Sequence, residues 1–184
     1  MPEQFVIEHC APTLAGIKTG NLFSIETAGR EEAYAEVREL NNILKEKGVR
    51  AIPVSHKKHR TQIYLYRPDR LKKDLQDPEA AEILKQRGYR CDNPNLCVTR
   101  LIKALEQDGD YPHEIGLFLG YPPEDVKGFI NSPCEGVQCC GYWKVYGDRE
   151  KAEKTFASYR HCTESYRKAF SKGKSLAQLT VKAR

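Results

Sequence analysis

Cysteine and histidine carry most of the reactive chemistry this chain could perform. Cys10 is preceded by His9 and followed by Pro12. A proline two residues on suits the first turn of a helix, so the spacing predicts a Cys10 sulfur beside the unpaired N–H groups and positive end of that helix. That setting lowers a thiol pKa and makes a nucleophile. His113 would act as its base, with Glu114 or Asp148 orienting the imidazole, which is the order of groups in a cysteine hydrolase or acyltransferase. The plainer alternative makes Cys10 a small buried hydrophobe and His113 the cap of a strand after Pro112.

A second constellation is Cys134, Cys139 and Cys140, with Cys162 beside His161 on a later helix. Soft thiolate and imidazole ligands select zinc, iron or an iron-sulfur cluster. The C-x4-C-C spacing is not the C-x2-C knuckle of structural zinc sites, and Cys162 also falls beside an aromatic stripe that suits a core thiol. Cys91 and Cys97 flank Asn93-Pro94 in a turn and read as structural. Seven cysteines is an odd number, and with Glu3 and Glu8 where a secretory signal needs basic residues, reduced thiols are expected in place of a disulfide scaffold. Neighbouring Cys139 and Cys140 cannot bond to each other without a strained ring.

Three weaker features complete the inventory. Lys18-Thr19 follows Gly16, yet the G-x-x-x-x-G-K-[ST] spacing of a phosphate-binding loop is absent. Tyr142 and Trp143 are candidates for the wall of a cofactor pocket, as Lys18 is for its charge. The run 56–60 (HKKHR) reads as a solvated hairpin tip whose functional alternative is contact with an acidic partner or RNA.

These groups need elements to position them. Ala33, Val37, Leu40 and Leu44 recur at helical spacing, so 31–47 is expected to be a helix stopped by Gly48. Residues 49–54 and 61–66 are rich in β-formers and predict an antiparallel hairpin with a six-residue basic loop. Helices are expected after Asp77-Pro78 and after an Asn95 cap, the latter with Val98, Leu101, Ile102 and Leu105 inward. The apolar run 114–120 reads as a buried strand, 122–130 as a short helix and 140–146 as a strand, together a β-α-β unit. Asp148 caps a long helix over 149–171, and a polar, basic tail follows over 173–184. The expectation is one α+β domain over 1–172, with a small mixed sheet packed by several helices.

The 184 residues carry 30 basic and 25 acidic side chains for a net charge of +5. Charge alternates in blocks: −4 over 1–44, +7 over 45–90, −5 over 91–148 and +7 over 149–184. The basic blocks are candidates for an RNA-binding face, although outer helix faces must be solvated anyway and no DNA-reading motif is present. A chain 40% hydrophobic can fill a core, and no apolar run reaches the roughly 20 residues that span a bilayer. A cytoplasmic protein without membrane attachment is expected.

Residues 9–18 (HCAPTLAGIK), 113–122 (HEIGLFLGYP) with 124–129 (EDVKGF), and 140–146 (CGYWKVY) resemble a bacterial family catalogued as domain of unknown function 3793. The resemblance covers nearly the whole chain. It implies an origin mainly among anaerobic bacteria, hence reduced thiols and oxygen-sensitive metals, and supplies no catalytic residue. The functional expectation is a cysteine-dependent redox or iron or zinc binding role. The Cys10 and His113 hydrolase or transferase and the basic binding module are the alternatives.

Overall fold

Strand β3 (Arg60–Tyr66) has apolar side chains on both faces, and the molecule is organised around it. The computed structural model describes residues 1–90, 93–107 and 110–183. β3 is the central strand of a three-stranded antiparallel sheet between β1 (Gly20–Glu26) and β2 (Arg50–Lys57), in register from Gly20↔Tyr66 to Glu26↔Arg60 on one side. On the other side the register runs from Arg50↔Tyr66 to Lys57↔Arg60 with a bulge between Pro53 and Ser55. Proline lacks a ladder donor, which fits its place on an edge strand.

Successive β3 side chains point to opposite faces, so the strand divides two cores. Ile63 and Leu65 join Val6, Ile7, Cys10 and Leu14 of α1 (Glu3–Leu14), Val37, Leu40 and Leu44 of α2 (Arg30–Leu44), and Leu176 and Leu179 of α9 (Leu176–Leu179). Tyr64 and Tyr66 join the opposite core. That core is built on α3 (Pro68–Leu75), α4 (Pro78–Gln86), α5 (Pro94–Glu106), α6 (Ile115–Phe118) and α7 (Pro123–Asn131). A third cluster of Val145, Ala152 and Phe156 lies under the long helix α8 (Arg149–Ser171), against the short pair β4 (Cys139–Cys140) and β5 (Lys144–Val145).

The α+β class, the hairpin and the long helix are as expected, and several details differ. Residues 114–120 hold the single-turn helix α6, so the β-α-β unit does not exist and the main sheet is antiparallel throughout. Its third strand is β1. The 140–146 strand reduces to the two-residue ladder of β4 and β5. The six-residue basic loop shrinks to Lys58-His59, both at positive φ (47° and 61°), which is the turn that matches the twist of two paired strands. Asn93, not Asn95, caps α5, accepting from the Asn95 N–H at 2.9 Å. The tail is docked: Leu176 and Leu179 are buried and the Leu176 N–H donates to Glu3. Among the described residues no helix is long and apolar enough to cross a membrane.

Candidate functional site

The loop joining α1 to β1 is held from several directions. The last turn of a helix leaves carbonyls without partners and carries partial negative charge. Arg67, 4% exposed, answers both: Nε donates to the Thr13 carbonyl (2.6 Å), and Nη2 to those of Leu14 (2.6 Å) and Val181 (2.7 Å). Pro12 lies inside α1, and its carbonyl accepts from the N–H groups of Ile17 (3.0 Å) and Lys18 (3.1 Å). The Thr19 hydroxyl donates to Asp74 of α3, and the Arg67 N–H to the Thr19 carbonyl (2.9 Å). Gly120, at φ +77°, passes so close that a Cβ there would lie 2.8 Å from Thr19 Oγ1.

This scaffold fixes Lys18, which is 3% exposed. Its ammonium donates to the Gly20 carbonyl at 2.6 Å and sits 5.4 Å from the centre of the Tyr121 ring. Among the described residues it has no carboxylate within ion-pair distance. Burial lowers its pKa to about 8, while the nearby Cys10 thiol acts in the opposite direction. Lys18 lines a cleft of about 340 Å³ together with Thr19, Asp74, Tyr121, Lys151 and Tyr159. Burial pushes both tyrosines up to about 12, which leaves them neutral hydroxyls at physiological pH. Burial also raises Asp74, against the Thr19 hydrogen bond that favours its charged form.

Tyr121 also lines a smaller pocket of about 190 Å³, with His113, Phe129, Trp143 and Lys144. Trp143 stacks on Tyr121 (4.8 Å between ring centres) and meets Phe156 edge-on (4.5 Å). Asp125 holds this wall together. Its Oδ2 accepts from Trp143 Nε1 (2.7 Å), and its Oδ1 from the N–H groups of Tyr146 (2.7 Å) and Gly147 (2.8 Å).

The candidate residues of the sequence separate into groups. Cys10 lies inside α1, not at a helix start, because the helix begins at Glu3. It is wholly buried, and burial raises its thiol pKa despite Lys18 nearby. His113 is exposed and edge-on to Phe129 (4.9 Å), on the α7 side of the sheet, so the two are not brought together. Glu114 turns instead to Tyr89, whose hydroxyl donates to Oε1 (2.8 Å), and to Arg87 at 3.7 Å. Its Oε2 is buried without a hydrogen bond among the described residues.

The sulfurs do not converge. Cys134 and Cys140 are exposed, in the neighbourhood of the Tyr146 phenol. Cys139 packs under α8 near Arg149, and Cys162 is half-buried near Tyr166, with burial raising its pKa. Among the described residues no three histidine, cysteine, aspartate or glutamate side chains are grouped to hold a metal ion. Cys91 lies outside the described residues, and Cys97 is buried on α5 with its thiol donating to the Arg90 carbonyl. The basic tip at His56 to Arg60 abuts Glu26 and Glu32, which interrupts its positive surface.

Of the three cofactor candidates, Lys18 lines the cleft, Trp143 backs its Tyr121 wall, and Tyr142 packs edge-on against Tyr159 at 5.3 Å. Asp74, Tyr121, Asp125 and Tyr159 were not singled out by the sequence. The one available signal was Tyr121-Pro122-Pro123, an aromatic residue held just before a helix.

Fold and site together define an α+β protein whose antiparallel sheet supports a lysine-centred polar cleft. The chain belongs to the family of proteins of unknown function DUF3793, whose model matches residues 6–180. Comparison with curated proteins and with solved structures returned no match.

Proposed function

We propose that this protein binds a small anionic metabolite, through a carboxylate or phosphate group, in the cleft at Lys18. One observation carries the reading: Lys18, a 3% exposed residue lining a 340 Å³ cleft, has a single carbonyl acceptor for its ammonium and no carboxylate within ion-pair distance among the described residues. A buried charge without a counter-charge is unfavourable, and a residue serving only the loop would be better as an uncharged donor. An anion entering the cleft supplies what is missing. A cysteine-dependent redox or metal-binding role draws less support, because the thiols are dispersed. Free thiols and a metabolite ligand suit a reducing, cytoplasmic setting.

The test is calorimetric titration of inorganic phosphate and of short mono- and dicarboxylates into the wild type and Lys18→Met. At least one anion should bind the wild type and lose most of its affinity to the variant. Because the ammonium form is required and the free lysine titrates near 8, affinity should fall up to about tenfold per pH unit above that value. Absence of binding across the series, or binding indifferent to Lys18→Met, would overturn the proposal.

A further inference from the structure

We infer that Lys18 is also a nucleophile and that the ligand class is a small α-keto acid, held through a Schiff base to Nζ; this rests on the anion-binding reading of the same cleft. An amine attacks a carbonyl only as its neutral form, and one locked in an ion pair cannot do so. Lys18 is desolvated, carries no carboxylate partner among the described residues and keeps its position through one bond to the Gly20 carbonyl. Those are the conditions under which a lysine becomes a nucleophile. The lowered pKa, about 8, agrees with the geometry.

The keto acid fits for a second reason. Once formed, the protonated imine restores a cation at a nitrogen that has no carboxylate within ion-pair distance among the described residues, and in an α-keto acid the carboxylate is bonded to the imine carbon itself. The substrate therefore brings the counter-charge to the one nitrogen that needs it. A plain aldehyde or ketone would leave the cation unmet.

Nζ forms a bond to the keto carbon as the carbonyl π pair moves to oxygen, which takes up a proton. Nitrogen then gives up a proton, the hydroxyl leaves with another as water, and the C=N bond closes. Overall one ammonium and one ketone give one iminium and one water, with no oxidant or reductant. Asp74 suits the proton transfers: it lines the same cleft, burial raises its pKa, and the Thr19 hydroxyl fixes its orientation.

The experiment treats the full chain with pyruvate, or separately glyoxylate, in the presence of sodium cyanoborohydride, which reduces an imine to a stable secondary amine. Peptide mass spectrometry then locates the adduct. Lys18 should be labelled at least about tenfold faster than the exposed lysines, whose amines are ordinarily protonated two pKa units more firmly. Inorganic phosphate should slow the labelling. Lys18→Arg keeps a cation that cannot form an imine, and should abolish the adduct at that position without raising it elsewhere. Calorimetric binding of pyruvate with no adduct at Lys18 would overturn the Schiff base and leave anion binding standing. Neither binding nor adduct for any keto acid, phosphate or carboxylate would overturn both.

Discussion

Asp125 and Lys18 are buried to the same extent, each 3% exposed, and the fold treats them in opposite ways. Asp125 accepts three hydrogen bonds, from Trp143 Nε1 and from the backbone of Tyr146 and Gly147, which ties α7 to the chain that runs into α8. Arg67 follows the same pattern, with three carbonyls around its guanidinium. Lys18 has one carbonyl and an aromatic face. A charge whose hydrogen-bonding capacity is filled by its own chain is explained by architecture. A charge left short, in the wall of a cleft, is explained by something that enters from outside. Glu114 is intermediate, with one oxygen engaged by Tyr89 and the other lacking a hydrogen bond among the described residues.

Substitution separates these roles, and the largest effect is expected at Asp125. Asp125→Ala strands the part-buried indole N–H of Trp143 and the backbone N–H groups of Tyr146 and Gly147, and should destabilise the protein by about 2–4 kcal/mol in denaturant unfolding. Asp125→Asn retains an acceptor and should recover part of the loss. A change under about 1 kcal/mol for Asp125→Ala would erase the contrast with Lys18.

Lys18→Met should move stability the other way. The folded-state pKa of about 8 lies below the ordinary 10.5, so between those values the unfolded chain holds a proton that the folded chain has released. Wild-type stability therefore rises with pH across that window and is lowest below it. Removing the amine should flatten the rise and stabilise the protein at pH 7 by about 1–3 kcal/mol, the lost carbonyl bond offsetting part of the gain. Unfolding curves of both proteins from pH 6 to 10 would show this, and a less stable variant at pH 7 would mean that Lys18 serves the loop.

The smallest effect belongs to Glu114. Glu114→Gln keeps an oxygen for the Tyr89 hydroxyl and gives up only the long Arg87 contact at 3.7 Å, which half-exposed Arg87 makes without a hydrogen bond, so denaturant unfolding should shift by less than about 1 kcal/mol either way. A loss several times larger would show that the carboxylate has a partner on which the fold depends.

The frame around these charges was largely legible, and the site was not. The four-and-three spacing from Ala33 to Leu44 gave α2, and Asp148 marked the start of α8 because its side chain does accept from the Lys151 N–H. The run 114–120 misled because a short apolar stretch fits a buried strand or a buried helix equally well. Val6, Ile7, Cys10, Ala11 and Leu14 share one face of α1, but Pro12 and Thr13 are buried on its other sides, and Pro12 suggested a helix start when it stands near a helix end. Lys18 was noticed for its neighbour Thr19, but its burial depends on Arg67, Gly120 and Tyr121 from distant parts of the chain. The partners of the cleft lie on α3, α8 and the segment before α7, and no local pattern links them.

The central claim is that the fold leaves the charge of Lys18 for a ligand, and competitive acetylation of the native protein against pH, read on the Lys18 peptide, tests it most directly. The account predicts a reactivity midpoint near 8 in the free protein, and an upward displacement when a binding anion from the phosphate and carboxylate series is added, since the anion favours the ammonium. An ordinary lysine midpoint near 10.5, or a lowered midpoint that no anion in the series moves, would contradict it.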